Sequence, residues 1–199
     1  MYYGIYYIGH LWSSLLSLFL YKVKRGKLAN WAKGFRIITL VFSFSVFTYW
    51  FIKKSAVRIV QDSVALQLIN KLPQPLDFYV VTLNDVEADN AIETQHIGVI
   101  RPEYYRIEYL KMEKSDEYWI VGYLGKKNLV YFSQHSVPNK NIDQIIEVNN
   151  YINQSAKLSD LAKKHIDAYN YENTKLGIWV VLDFLLLFLN LTLLLRKRK

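Results

Sequence analysis

A run of alternating acidic residues is the feature of the sequence that most resembles a metal-binding loop. Asp85, Glu87 and Asp89 are spaced as the oxygen ligands of calcium sometimes are. Asn90 stands where such a loop needs glycine, and His96 occupies the place of the bidentate glutamate. We therefore predict a solvated strand connection here and no metal site.

A second group of residues with candidate chemistry lies at positions 133–136, where serine hydroxyls flank a histidine. Neighbouring strand residues point to opposite faces, and nothing here has the form of a nucleophile elbow. His96, His135 and His165 lack the spacing of zinc ligands. The chain has no cysteine, which excludes a thiol nucleophile and a thiolate metal site. The sequence therefore predicts no catalytic residue and no cofactor.

Polar residues inside otherwise apolar segments form the strongest candidate for a functional cluster in this sequence. In the first segment they recur at helical spacing on one stripe: Tyr3, Tyr7, His10, Ser14, Ser17 and Tyr21. Asp183 and Asn190 share one face of the last segment. If both segments cross a membrane in the same direction, His10 and Asp183 lie within roughly 3 Å of the same depth. We predict a polar seam in which His10 pairs with Asp183, Ser17 pairs with Asn190, and Tyr7 lies beside the first pair.

Asp183 is the costly member of this seam, because a carboxylate at mid-membrane costs about 2.5–3.5 kcal/mol on insertion scales. It should therefore face protein or water. The alternatives are that Asp183 contacts another subunit or extends towards the lipid headgroups. One histidine and one aspartate are too few to predict a proton pathway.

Three apolar segments must position these residues. Residues 176–195 contain Asp183 as their one ionisable group, and a helix of this length spans roughly 30 Å. Residues 37–52 form a shorter uncharged run whose flanking Arg36 and Lys53 can snorkel. Residues 1–21 contain no charged side chain and are long enough to cross, with an interfacial helix as the alternative. The sequence therefore predicts three transmembrane helices.

Basic residues are concentrated in residues 22–36 and in the tail, residues 196–199. Neither stretch contains an acidic residue, whereas residues 53–175 carry 15 basic and 16 acidic ones. This asymmetry predicts a cytoplasmic loop and tail and an extracytoplasmic middle domain. The formal net charge of +8 then reflects topology, and we expect no nucleic-acid partner. The residues expected to contact anionic lipid headgroups are Lys22, Lys24, Arg25, Lys27, Arg196, Lys197, Arg198 and Lys199.

The middle domain is predicted to be a small α+β domain. Valines and leucines at spacings of three and four predict a helix that continues from Ile52 to Leu72. Aromatic and β-branched runs then predict strands at Leu76–Leu83, Ile92–Ile100, Tyr104–Met112, Glu117–Leu124 and Asn128–Ser133. Short connections between them predict an antiparallel meander of four or five strands. A second helix is predicted from Asn141, with a break near Asn153.

Aromatic side chains are frequent in the predicted strands. They are Tyr104, Tyr105, Tyr109, Tyr118, Trp119, Tyr123 and Tyr131. Packing in the core is the default role of such residues. One sheet face could still expose enough of them to bind a partner.

These observations predict a non-enzymatic accessory or structural subunit of a membrane complex. We expect it in the bacterial inner (cytoplasmic) membrane, with an extracytoplasmic docking domain and with the lipid bilayer and another membrane protein as partners. A flat exposed apolar sheet would favour this docking role. The first alternative is a membrane-anchored ligand-binding sensor with a separate output protein, which predicts an enclosed pocket. The second is an envelope enzyme acting on lipid or peptidoglycan, in which several of Asp85, Glu87, His96 and His135 would have to converge in a cleft at the bilayer face.

Overall fold

The computed structural model describes residues 12, 15–16, 27–55, 63–83, 92–112 and 115–195. The chain divides into two compact units, one comprising Ile59–Tyr171 and the other Met1–Arg58 with Glu172–Lys199. The described elements are α1 (Lys27–Ser55), β1 (Ser63–Asn70), β2 (Leu76–Leu83), β3 (Ile92–Ile100), β4 (Tyr105–Lys111), β5 (Glu117–Leu124), β6 (Asn128–Ser136), β7 (Gln144–Val148) and α2 (Ala156–Leu195).

The strands of the Ile59–Tyr171 unit form two sheets. The three-stranded sheet has the order β4-β1-β7 and the four-stranded sheet the order β3-β2-β5-β6. Neighbouring strands are antiparallel except for β1 and β7, which are parallel. The predicted α+β class is confirmed.

The helix predicted to run on to Leu72 is wrong, because β1 occupies Ser63–Asn70. Val64, Leu66 and Leu68 are all buried while the residues between them are partly exposed. Val64 and Leu68 are four apart and so fit a helix as well as a strand, but the apolar Leu66 between them fits only the strand period of two. Burial of alternate residues against a second sheet then stabilises the strand.

The predicted meander is also incomplete. The hairpin pairs β2–β3 and β5–β6 form, but β4 pairs with β1, and β5 pairs with β2. The buried side chain of Asn70 helps to hold this order, since its amide donates to the carbonyls of Gln74 and Ile100 at 2.9 Å. The segment that forms β1 was predicted to be a helix. The prediction therefore lacked the strand with which β4 pairs in place of its sequence neighbours β3 and β5.

The central strands β2 and β5 are buried on both faces. One face contributes Phe78, Val80 and Ile120 to a core that also contains Val64 and Leu66 of β1. This core therefore joins the two sheets. The other face belongs to a second cluster, which contains Tyr79, Val81, Trp119, Val121, Tyr123, Phe132, Ala162 and Ile166. The first half of α2 thus packs on the four-stranded sheet.

The edges of the two sheets are linked by side chains from β3 and β4. The Arg106 guanidinium donates to the carbonyl of Ile97, and the Gln95 amide donates to the Glu108 carboxylate at 3.3 Å. Gly98 lies beside Arg106 with a φ of 97°, and a Cβ built there would meet the guanidinium. The positive φ favours glycine at this position, and a larger residue would also displace the end of the Arg106 side chain.

The start of α2 corrects the predicted second helix. Residues from Asn141 onwards form a turn and then β7, and the helix begins at Ala156. The hydroxyl of Ser155 accepts a hydrogen bond from the Leu158 amide at 3.3 Å, which is the bond of a helix N-cap. The predicted break near Asn153 is therefore the helix start.

The second unit contains α1 and the second half of α2. The rings of Phe47 and Phe184 lie 5.8 Å apart and link the two helices. Among the described residues, one helix, Ala156–Leu193, is long and apolar enough to span a membrane. Helix α1 begins at Lys27 and so includes part of the predicted loop and its charges. The prediction of three spans is therefore not confirmed by length and composition.

Candidate docking surface and polar clusters

The outer face of the three-stranded sheet is apolar and exposed. The alternation of β1 that buries Val64, Leu66 and Leu68 directs the side chains between them outwards. Residues paired with them across the ladder share that face. We define the outer face as Ala65, Gln67, Ile69, Tyr105, Ile107, Tyr109 and Ile145.

Four members of the outer face are strongly exposed. Tyr105, Ile107, Tyr109 and Ile145 have exposed fractions between 48% and 62%. Together with the half-buried residues between them, they offer on the order of 500 Å² of largely apolar surface. A patch of that size is as large as the largest one on a typical monomer, and such patches are often binding sites.

Charges lie only at the ends of the outer face. Lys111 pairs with Ser63 at one end, and Glu147 pairs with Ile69 at the other. Near Glu147, the ammonium of Lys71 forms an ion pair with Glu103 at 2.7 Å. An uncharged centre with charges of both signs at its rim is the composition of a protein interface.

The tyrosines predicted to pack in the core divide between the two faces of their sheets. Tyr118, Tyr123 and Tyr131 are buried, whereas Tyr105 and Tyr109 are exposed. The run from Tyr104 to Met112 has apolar residues in both alternating positions, since Ile107 and Leu110 fall on opposite faces. Alternation alone could therefore not reveal which face would be covered.

An aspartate–histidine pair lies beside α2 on the four-stranded sheet. The Asp77 carboxylate contacts His96 Nε2 at 2.7 Å, and the His96 ring stacks on Tyr79 with centroids 4.5 Å apart. The Asn170 amide donates to the Tyr79 hydroxyl at 3.3 Å. Burial raises the pKa of Tyr79 above its ordinary value, and burial together with the nearby Asp167 carboxylate raises the pKa of Tyr123 to about 12. The cluster ties the helix to the sheet and keeps both phenols protonated.

A serine–histidine pair lies on the opposite face of the same sheet. Ser133 Oγ contacts His135 Nε2 at 2.7 Å, which is possible because residues two apart on a strand share a face. The His135 ring stacks on Tyr118 with centroids 5.2 Å apart. Ser133 itself is buried, so its hydroxyl is not presented to a substrate. Sequence reasoning compared the neighbours in this stretch and missed the pair two residues apart.

The two histidines required by the enzyme alternative are separated. His96 belongs to one edge strand of the four-stranded sheet and His135 to the other. The first stacks on Tyr79 and the second on Tyr118, which face different clusters. Asp85, Glu87 and Asp89 lie outside the described residues, and the described part of the chain holds no group of three potential metal ligands.

We expect the half-buried His135 to make the fold less stable in mild acid. Burial lowers the pKa of His135 below its ordinary value of 6.5. Between that lowered pKa and 6.5 the unfolded chain binds more protons, so stability is complete above this window and falls as the pH falls through it. Urea unfolding of the wild type should show a lower midpoint at about pH 5.5 than at about pH 7, and His135→Gln should show a smaller difference. Equal differences in the two proteins would contradict this role.

The predicted polar seam is described only in part. Asp183 and Asn190 are 6% and 1% exposed, although Leu182 and Phe184 beside Asp183 are exposed. Both polar residues therefore lie on the covered side of α2. Tyr7, His10 and Ser17 lie outside the described residues, so the pairings remain predictions.

Helix α1 carries a second polar stripe that sequence reasoning missed. Arg36, Thr39 and Ser43 are buried at spacings of three and four, whereas Ile38 and Val41 are exposed. The Thr39 hydroxyl donates to the carbonyl of Phe35 at 3.0 Å within its own helix. The same helical spacing that indicated the seam in residues 1–21 would have identified this stripe.

The predicted lipid-contacting residues fall at positions for which side chains are not described. Lys22, Lys24, Arg25, Arg196, Lys197, Arg198 and Lys199 lie outside the described residues, and Lys27 is the first residue of α1.

Comparison of the chain with protein-family models, with curated proteins and with solved structures gives no match.

Proposed function

We propose that this chain is a non-enzymatic accessory or structural subunit of a membrane complex and that it docks through the outer face of its three-stranded sheet. The exposed apolar face is the observation that carries the proposal. Burying such a face against a partner is favourable by about 25 cal/mol per Å² of apolar surface removed from water. Tyr105 and Tyr109 add rigid side chains of the type that dominates many binding interfaces.

The rim charges favour a protein partner over a lipid surface. A surface that binds anionic headgroups needs an excess of lysine and arginine around its apolar centre. Here Lys111 is matched by Glu147, and Lys71 by Glu103. The balanced rim is better suited to a protein that presents charges of both signs.

Burial within the unit that contains α1 and the end of α2 supports membrane insertion of both helices. Polar Thr39, Ser43 and Asn190 are buried, while apolar side chains such as Phe44 and Leu185 are exposed. In water this arrangement would leave the apolar side chains solvated, whereas lipid can cover them. We include residues 37–52 of α1 and residues 1–21 with the final helix as the three spans of the protein.

The distribution of lysine and arginine along the chain is the basis for the proposed orientation of the protein in the membrane. Residues 22–36 and 196–199, rich in lysine and arginine, remain cytoplasmic, where they contact anionic headgroups. The Ile59–Tyr171 unit is then extracytoplasmic, in a bacterial cytoplasmic membrane. Its docking face would meet partners in the same envelope.

An outward-pointing lysine at the centre of the docking face should break the complex. Ile107→Lys places a charge in the apolar centre, and we expect association to weaken by at least about tenfold. The matched control is Val99→Lys, a change of another exposed strand residue on the four-stranded sheet. Native gel electrophoresis in mild detergent should show the wild type and Val99→Lys in a complex and Ile107→Lys as a monomer. An unchanged complex in Ile107→Lys would overturn docking through this face.

The orientation has its own test, because the chain lacks cysteine. We expect a membrane-impermeant maleimide to label Lys126→Cys in intact cells, since the turn between β5 and β6 carries this exposed residue. Wild-type protein is the background control. Labelling only after the membrane is opened would contradict the extracytoplasmic assignment.

A further inference from the structure

We propose that the partner on the outer face is a second copy of this chain, packed face to face about a two-fold axis that runs along β1. This inference rests on the proposed docking function and names its partner. Under this rotation the rows of side chains across the outer face are complementary to themselves.

The middle row of the outer face has the same residue type on both sides of its central residue. Gln67 of the central strand is paired with Ile107 on one side and with Ile145 on the other. A half-turn about an axis along β1, between two facing sheets, brings Ile107 of one copy over Ile145 of its partner. It also brings the two Gln67 amides together, and each amide offers both donors and an acceptor. Such a contact is isologous, as a closed dimer requires.

The neighbouring row becomes complementary under the same rotation. Ile69 has Tyr105 on one side and Glu147 on the other. The half-turn places the Tyr105 hydroxyl of each copy opposite the Glu147 carboxylate of the other and Ile69 against Ile69. Two hydroxyl–carboxylate hydrogen bonds are therefore available, and the two Glu147 charges do not face each other.

The charged end of the face does not oppose the same arrangement. Lys111 is paired with Ser63, whereas the pairing of β7 with β1 begins at Leu66. The half-turn therefore places Lys111 beyond the end of the partner's β7. No pair of like charges is brought together at this end.

The size of the face fits a dimer that forms between membrane-anchored copies. An area of about 500 Å² per copy is below the roughly 800 Å² that each partner of a typical stable interface buries. Anchoring both copies in one bilayer raises their effective concentration and so strengthens a modest interface. Two sheets stacked face to face lie about 10 Å apart with their strands within about 30° of each other, which is compatible with an axis along β1.

Crosslinking of the full-length protein in native membranes tests the axis directly. Gln67→Cys introduces the only thiol of the chain at the proposed axis. A short bifunctional maleimide is needed, because backbones about 10 Å apart exceed the reach of a disulfide. We expect at least fivefold more covalent dimer from Gln67→Cys than from the control Lys126→Cys. Equal yields would overturn pairing about this axis.

A reciprocal charge change tests the second row. In the Gln67→Cys background, Glu147→Lys should reduce the covalent dimer at least threefold, because it removes the acceptor of Tyr105. Adding Tyr105→Glu should restore the dimer, since the new carboxylate meets the new lysine of the partner. Failure of the double change to restore crosslinking would overturn the proposed facing of these two residues.

Accessibility separates the failure of this inference from the failure of the docking function. A bulky monofunctional maleimide is applied to opened membranes that contain Gln67→Cys alone or Gln67→Cys together with Ile107→Lys, the change expected to break docking, because Gln67 is only partly exposed within the single chain. Slower modification of Gln67→Cys alone, without covalent dimer, would mean that another protein covers the face, which overturns self-association and supports docking. Equal modification of the two, again without dimer, would overturn both. Slow modification together with a dimer supports both.

Discussion

Asp183→Ala is expected to destabilise the unit that contains α1 and the end of α2, whereas Asp183→Asn should retain most of its stability. Asp183 lies on the covered side of α2 while Leu182 and Phe184 beside it are exposed. A buried carboxylate in an apolar setting requires polar partners, and removing it leaves those partners unsatisfied at a cost of about 1–3 kcal/mol. Thermal unfolding of the purified protein in mild detergent measures the difference. Equal tolerance of both changes would argue against a hydrogen-bonded role for Asp183.

A double-mutant cycle identifies the predicted partner of Asp183. If His10 is the partner, His10→Ala should destabilise the protein, and the double variant should lose little more than Asp183→Ala alone. Leu182→Ala, an exposed neighbour on the same helix, is the control for truncation without loss of a polar contact. Additive effects of the His10 and Asp183 changes would contradict the pairing.

Phe78→Ala is expected to have the largest effect on the Ile59–Tyr171 unit, with a loss of about 3–5 kcal/mol in the free energy of unfolding. Phe78 is fully buried in the core that joins the two sheets. Its ring meets the Tyr131 ring edge-on, with centroids 6.4 Å apart, and a Cβ added at Gly122 would lie 3.0 Å from it. Since small domains have a total stability of about 5–15 kcal/mol, this change should also abolish docking. Urea unfolding monitored by tryptophan fluorescence provides the measurement.

The matched control for Phe78→Ala is a second core substitution that should raise the free energy of unfolding instead of lowering it. Tyr118 is fully buried, and no atom in the described part of the chain forms a hydrogen bond with its hydroxyl. Tyr118→Phe removes that group and keeps the ring, so we expect stabilisation by about 1 kcal/mol. Burial also raises the pKa of Tyr118, because its phenolate would be poorly solvated. A destabilised Tyr118→Phe would show that the hydroxyl does have a partner.

Comparison of these two changes with Ile107→Lys separates folding from docking. Phe78→Ala should lower stability and association together, because the core holds the three-stranded sheet against the other sheet. Ile107→Lys should lower association alone, because Ile107 faces away from that core. If Ile107→Lys lowered stability and association together, as Phe78→Ala should, docking through the outer face would be contradicted.

Strand positions were predictable where turn residues and alternation agree. Leu76–Leu83, Ile92–Ile100 and Glu117–Leu124 form strands with the predicted bounds. The predictions failed at Ser63–Asn70 and Gln144–Val148, both of which form strands in place of predicted helices. In both segments, apolar residues three or four apart also fit a helix, so local periodicity did not discriminate. Contacts with distant strands decided the outcome, since β1 lies between β4 and β7.

The sequence by itself determined that one segment is long and apolar enough to span a membrane, that basic residues gather in two short stretches, and that the middle domain is of the α+β class. These properties depend on composition and on spacing along the chain, which are local. Only the tertiary structure decided that β1 joins β4 to β7 and that Tyr105, Ile107, Tyr109 and Ile145 share one exposed face. Strand order and the choice of covered face depend on contacts between residues far apart in sequence, so a local pattern does not contain them.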